Sequence, residues 1–254
     1  MMDDRALLAL AIDLAERAGA EIRTVRDRGF KVHRKADQSV VTEADHAAEA
    51  IILAGLRLAL PGCTVVAEEE AASGKIIAAT SEFWLVDPLD GTREFTSGGD
   101  DFAVNIGLVR NGRPVLGAVG VPATGEVFSG IVGVGAWRRH DGRTTSIAAR
   151  SPPAEGLTVV ASRHHGDQAR MDTFLAGRAV AQVVNFGSSL KFCRLADGRA
   201  DLYPRFGRTM EWDTCAPHAV LEAAGGAVET LDGTALRYGK PGWDNPHFVC
   251  WGVR

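Results

Sequence analysis

Leu7, Leu10, Ala11, Leu14 and Ala18 recur at helical spacing behind Asp3 and Asp4, so the chain is predicted to open with an amphipathic helix whose first turn is acidic. Ala44, Ala47, Ala48, Ile51 and Ile52 repeat the period after Thr42 and predict a second helix, capped by that threonine and ended near Pro61-Gly62. The pattern then changes. Short apolar runs at 64–67 and 83–86 each deliver the chain into acidic residues, as strands ending in carboxylates do. Phe102, Val104, Ile106 and Leu108 alternate up to Asn111-Gly112, and an apolar run over 115–121 follows, which predicts a β-hairpin with a further strand near Val127. The stretch 138–156 is polar and holds Ser151-Pro152-Pro153, so the boundary between an N-terminal half (1–140) and a C-terminal half (141–254) of one continuous domain is expected there. Beyond it, predicted strands at 157–161 and 181–185 alternate with helical stretches at 167–175, 188–196 and 213–224.

Composition adds exclusions. At 254 residues, 46% hydrophobic and 24% charged, the chain has the balance of a globular protein with a sizeable core. Lys and Arg number 28 against 32 acids, so no overall field draws nucleic acid or anionic lipid, and an anionic partner must be small and held by a local cluster. Cys63, Cys193, Cys215 and Cys250 are scattered, with no Cys-x-x-Cys pair, and read as buried thiols rather than zinc ligands or a disulfide framework. The apolar start is cut short by Asp13 and no run reaches the ~18 apolar residues of a membrane span, so a cytoplasmic protein without a membrane span is expected.

The chemistry concentrates in Trp84-Leu85-Val86-Asp87-Pro88-Leu89-Asp90-Gly91-Thr92. Pro88 stiffens the turn, Gly91 permits close backbone approach, and Asp87 and Asp90 converge beside the Thr92 hydroxyl. Hard divalent cations take oxygen ligands of this kind, although Asp-Pro-x-Asp-Gly alone is also a good turn. Glu68-Glu69-Glu70 ends another predicted strand and Trp212-Asp213 begins a predicted helix; singly these fit a solvated acidic loop and an N-cap. Together they place carboxylates at several element ends, where open α/β sheets hold ligands.

Glu68-Glu69, Asp87 to Thr92, and Trp212-Asp213 appear in the order in which the inositol monophosphatase superfamily of Mg²⁺-dependent, lithium-sensitive phosphatases carries its signatures, and the chain resembles that family over nearly its whole length. The resemblance implies an αβαβα layered sandwich and two or three Mg²⁺ held by Glu68, Asp87, the Leu89 carbonyl, Asp90 and Asp213. It implies further that Asp45 and Thr92 orient and deprotonate an attacking water, with Gly91, Thr92 and Asp213 also against the substrate, and that Lys35 lies near the outer metal shell. Asp45 also has the Thr42-x-x-Asp45 spacing of a capping box. Neither a Walker-type loop nor a Ser-His-Asp set is present, which leaves direct attack by water as the simplest route.

Gly187-Ser188-Ser189-Leu190-Lys191-Phe192-Cys193, Asp201 to Gly207 and Ser162-Arg163-His164-His165 resemble the 3′(2′),5′-bisphosphate nucleotidases, which remove the 3′-phosphate of adenosine 3′,5′-bisphosphate, a by-product of sulfate assimilation. Ser162, His165, Ser188, Lys191 and Arg205 would then bind substrate. Inositol-cleaving relatives carry an acid where Arg205 stands, and a second phosphate needs the opposite sign. Hydrolysis of inositol phosphate, fructose bisphosphate or histidinol phosphate, and a nucleotide-sensing protein without hydrolysis, are the competing expectations; monomer and homodimer stay open. Pro217 is expected in the first turn of the Asp213 helix, where proline is tolerated.

Overall fold

The computed structural model describes residues 2–35, 39–75, 77–162 and 167–253. Asp3 accepts the Ala6 N–H and starts α1 (Asp4–Arg28); the short pair β1 (Val32–Arg34) and β2 (Val40–Thr42) leads into α2 (Glu43–Ala59). These helices touch closely at Gly55, where a β-carbon would come within 2.2 Å of Leu14. Their apolar faces cover one side of a seven-stranded sheet in the order β3-β4-β5-β6-β7-β8-β9. Its strands are β3 (Val65–Ala67), β4 (Glu82–Asp90), β5 (Ala103–Arg110), β6 (Arg113–Val121), β7 (Glu126–Ile131), β8 (Gly135–His140) and β9 (Arg143–Ile147), with the short helices α3 (Glu68–Ala72) and α4 (Thr92–Thr96) inserted. Only β3 and β4 pair in parallel; the other neighbours are antiparallel.

A second, five-stranded sheet has the order β11-β10-β12-β14-β13, built from β10 (Leu157–Ser162), β11 (Val180–Phe186), β12 (Leu202–Arg205), β13 (Ala227–Thr230) and β14 (Phe248–Trp251). Between the sheets lie α6 (Leu190–Ala196) and α7 (Glu211–Ala223), and α5 (Gln168–Leu175) covers the outer face of the second sheet over Val159, Leu202 and Val249. The layers therefore run αβαβα, as the resemblance implied.

The middle layer fits because of a row of glycines. Gly107, Gly117 and Gly130 sit opposite one another on β5, β6 and β7, and a β-carbon on Gly117 would stand 2.2 Å from the Ala216 carbonyl oxygen. Backbone meets backbone there, so α7 is seated directly on the sheet.

Several expectations change. The polar stretch 138–156 contains β9, which pairs with β8, so the N-terminal sheet runs to Ile147 and only 148–156 is connection. The glutamates after β3 form helix α3 rather than an acidic loop. Helix α7 begins at Glu211, which places Pro217 inside the helix and outside its first turn, where it withholds the N–H that the Asp213 carbonyl would accept. Cys193, Cys215 and Cys250 are buried, but Cys63 is only half-buried.

Candidate active site

Strand pairing brings the first two carboxylates together. Ala67 lies opposite Val86 in the parallel pair, so Glu68, the next residue after β3, comes beside Asp87, the next position of β4. Pro88 then breaks the regular ladder between Asp87 and Asp90, and Asp87 Oδ1 accepts the Leu89 N–H at 3.0 Å. Gly91 turns with φ 94°; a β-carbon there would meet the Asp101 carbonyl oxygen at 2.9 Å, so only glycine lets Asp90 and Thr92 close on the same point.

Helix starts supply the rest. Asp45 Oδ2 accepts both the Thr42 N–H and the Thr42 hydroxyl at 2.7 Å, while Oδ1 accepts the Thr92 hydroxyl at 3.0 Å. One carboxylate thus caps α2 and anchors Thr92, so the capping reading and the functional reading of Asp45 are compatible. Asp213 is built the same way: Oδ2 accepts the Met210 N–H at 2.8 Å at the start of α7, leaving the other oxygen for the cleft. Glu49, unmarked in the sequence because it is one acid among several on α2, accepts the Glu69 and Glu70 N–H groups at 2.7 and 2.9 Å and so fixes the first turn of α3 that carries Glu68.

Glu68, Asp87, Leu89, Asp90, Gly91, Thr92 and Asp213 line one wall of a cleft of about 250 Å³. Burial, then the neighbouring charges of Glu68, Asp90 and Asp213, push the Asp87 carboxyl well above its ordinary range; burial and then Asp90 and Glu68 do the same to Asp213. Burial also raises Asp90, against the pull of Lys191, and Asp45. Such a concentration of negative charge on half-buried and buried side chains calls for cations. Lys35 Nζ answers part of it, bridging Glu68 Oε1 and Glu69 Oε1 at 2.7 Å each. Among the described residues no three acidic, histidine or cysteine side chains surround a single ion position. Mg²⁺ fits oxygen donors of this kind, since it takes one or two carboxylates per ion and completes its octahedron with water and substrate phosphate.

The facing wall comes from the second sheet, where β10, β11 and β12 run parallel and end together. Ser162 closes β10, Gly187-Ser188-Ser189 follows β11 and Arg205 closes β12; Ser162, Ser188, Lys191 and Arg205 all line the cleft. Lys191 is 3% exposed and donates to the Phe186 and Ser188 carbonyls at 3.2 and 2.5 Å. Burial, only partly offset by Asp90, lowers its ammonium to about 8. Arg205 is 9% exposed; its Nη2 donates to the Arg208 carbonyl at 3.0 Å and its buried Nε has no partner. Neither is a solvated surface charge. Phe192 and Tyr203, from the two runs that resembled the nucleotidases, and Phe248, which carried no signal beyond core hydrophobicity, form an aromatic floor with centroids 5.5–6.0 Å apart. His165 lies outside the described residues.

Residues 3–248 match the family model of the inositol monophosphatase family. The chain belongs to the inositol monophosphatase family. Within it, the 3′(2′),5′-bisphosphate nucleotidase CysQ of Escherichia coli K12 is 42% identical over 234 residues, 91% of this chain and 94% of that protein. The protein of the same name from Buchnera aphidicola is 37% identical over 92% of this chain and 88% of that protein. Among solved structures, CysQ from Bacteroides thetaiotaomicron superposes with a TM-score of 0.84 at 30% identity, covering 99% of this chain and 98% of that one. The Thermotoga maritima inositol monophosphatase gives 0.80 at 25% identity, covering 98% and 92%. This member of the inositol monophosphatase family therefore shares its layer order with relatives named for two different substrates, so the substrate must be read from the cleft walls.

Proposed function

We propose that the protein is a Mg²⁺-dependent 3′(2′),5′-bisphosphate nucleotidase, a phosphoric monoester hydrolase that releases the 3′-phosphate of adenosine 3′,5′-bisphosphate and leaves AMP. The observation that carries this reading is the pairing of a carboxylate wall, Asp87 buried and Glu68, Asp90 and Asp213 half-buried, with two buried cations, Lys191 and Arg205, across one cleft. The carboxylate wall suits the phosphate that is cleaved, with its cations; the cationic wall suits the phosphate that stays. The nucleotidases of E. coli and Buchnera, matched over most of their lengths, support the same substrate.

In this mechanism Glu68, Asp87, the Leu89 carbonyl, Asp90 and Asp213 hold two or three Mg²⁺, which supply charge neutralisation and Lewis acidity at the reacting phosphate. Thr92 acts on the attacking water: its hydroxyl donates to Asp45 Oδ1, so its own oxygen accepts from water and aims it at phosphorus. Burial has raised the Asp45 carboxyl, which makes it a better terminal acceptor for the proton passed through Thr92. Arg205, through Nε and the remaining N–H groups, and Lys191 hold the uncleaved phosphate, with Ser162 and Ser188 toward the nucleoside; the role of His165 in binding it rests on the sequence resemblance alone. The reaction is assigned to the cytoplasm, where sulfate assimilation generates the substrate.

Phosphate release with Mg²⁺, measured across adenosine 3′,5′-bisphosphate, inositol 1-phosphate, fructose 1,6-bisphosphate and histidinol phosphate, tests the reading. The expected result is the highest kcat/KM for the nucleotide. An equal or higher value for any of the others rejects the substrate, and binding of the nucleotide without phosphate release turns the protein into a sensor.

A further inference from the structure

Asn105 stands in the middle of β5 directly opposite Asp87, fully buried and behind the cleft wall. Its amide oxygen accepts the Ser189 hydroxyl at 2.9 Å. Ser189 in turn donates its backbone N–H to Asp90 Oδ2. Both residues are almost without solvent, Ser189 at 3% and Asn105 at 0% exposure, and the amide nitrogen of Asn105 has no hydrogen-bond partner. Asn105 and Asp87 share a face of the sheet, because residues directly opposite in a ladder point the same way. An unpartnered N–H₂ in the centre of a sheet is a cost that an apolar residue would avoid, so a bystander role does not account for it.

We propose that Asn105 is a positioning residue of the carboxylate site, acting through Ser189 to hold Asp90 in the orientation that binds a cation. The proposal rests on the reading of Asp90 as a Mg²⁺ ligand. Two features make an amide the right group. It is neutral, so it adds no fifth charge beside Asp87, Asp90, Glu68 and Asp213, as an aspartate of the same shape would. It also fixes the Ser189 hydroxyl, and with it the turn 187–189, which reaches Asp90 from the other half of the molecule. Gly187 N–H donates to Asp101 Oδ2 at 3.0 Å from the same turn, so the turn is tied at Gly187 by Asp101 and at Ser189 by Asp90 and Asn105 together. Ligands held by such outer partners typically lose 10–100-fold in metal affinity when the partner is removed.

The test compares Asn105→Ala, Ser189→Ala, their double variant and Asp90→Asn. The readouts are the Mg²⁺ concentration for half-maximal phosphate release, kcat at saturating Mg²⁺, and the rise in Tm that Mg²⁺ produces without substrate. Each single variant is expected to raise the half-saturating Mg²⁺ about tenfold while kcat at saturation falls far less, and to shrink the Mg²⁺-induced rise in Tm. The double variant is expected to be no worse than the worse single, because both act through one contact. Asn105→Ala opens a hole in the sheet; Ser189→Ala removes only a hydroxyl and decides the matter alone if the first does not fold. A Mg²⁺ requirement within about twofold of wild type in Ser189→Ala, or effects that multiply in the double variant, overturns the proposal. Asp90→Asn separates the failures: if it too keeps the wild-type Mg²⁺ response, the ligand reading falls, whereas if it alone loses the response only the role of Asn105 falls.

Discussion

At the scale of single residues, two side chains separate turnover from recognition. Thr92 is held by Asp45 and by the Leu89 carbonyl at 3.1 Å, and neither contact depends on substrate. Thr92→Ala is therefore expected to lower kcat by roughly 100-fold or more with KM changed little, since proton transfer of this kind contributes about 10²–10⁴-fold. An effect confined to KM, read from steady-state kinetics, would make Thr92 a binding residue only. Arg205→Glu should act on substrate choice. A charge-assisted contact is worth about 1.5–3 kcal/mol, so kcat/KM for adenosine 3′,5′-bisphosphate should fall roughly tenfold to over a hundredfold, more with the added repulsion. Inositol 1-phosphate, with one phosphate, should lose little or gain; equal losses for both substrates would remove Arg205 from phosphate recognition. Much of this was legible in the sequence because these residues sit in short fixed motifs. Glu49, Asn105 and Phe248 were not, since each looks like an ordinary helix or strand residue until packing brings it to the site.

Elements decide how accurately those residues are placed. Helices α2, α3 and α7 all begin at the cleft, so Asp45, Glu68 and Asp213 lie in first turns whose dipoles favour negative charge. Amphipathic periodicity revealed α1 and α2, and the alternation before Asn111-Gly112 revealed the β5–β6 hairpin. Strand β8, the polar β9, the short β1 and β2, and β12 to β14 escaped: β8 and β9 run through the polar stretch that read as a connection, and a three- or four-residue strand is defined by its neighbours and leaves little pattern of its own. Packing of α7 gives a test at this scale. Gly117→Ala would press a methyl onto the Ala216 backbone, and overpacking of this kind costs about 1–3 kcal/mol; a lowered Tm together with a raised Mg²⁺ requirement is expected as α7 and Asp213 shift. Gly19→Ala, whose β-carbon would meet Pro122 at an ordinary 3.5 Å, should leave both unchanged or raise Tm slightly. A Gly117→Ala protein with wild-type Tm would show that α7 is less tightly seated than described.

For the whole molecule, the carboxylate site trades stability against function through pH. Asp87, Asp90 and Asp213 have folded-state pKa values raised above 3.8, chiefly by burial, so the folded metal-free protein holds protons that the unfolded chain releases. Their contribution to stability is complete below pH 3.8 and is lost as pH rises through the raised values. Mg²⁺ reverses the loss by binding the ionised forms. The difference in Tm between Mg²⁺-loaded and EDTA-treated protein should therefore grow from pH 5 to pH 8. His218, lowered by burial, destabilises the fold towards acid in both samples and cancels in that difference. A difference that is flat with pH, or that shrinks, would place the three carboxyls outside the cation site.

The seating of α7 between two sheets has a consequence for how the protein breathes. Its amide hydrogens are screened on both sides by buried chain, while α5 rests on a satellite cluster whose buried members are Val159, Leu202 and Val249. Exchange with deuterium should accordingly be slowest in α7, with opening free energies close to that of global unfolding, and fast in α5, which can lift without disturbing the sheets beneath. The body of α7 behind its first turn would then be among the last parts of the molecule to open, so that the backbone carrying Asp213 stays anchored while the outer cover of the second sheet opens and closes.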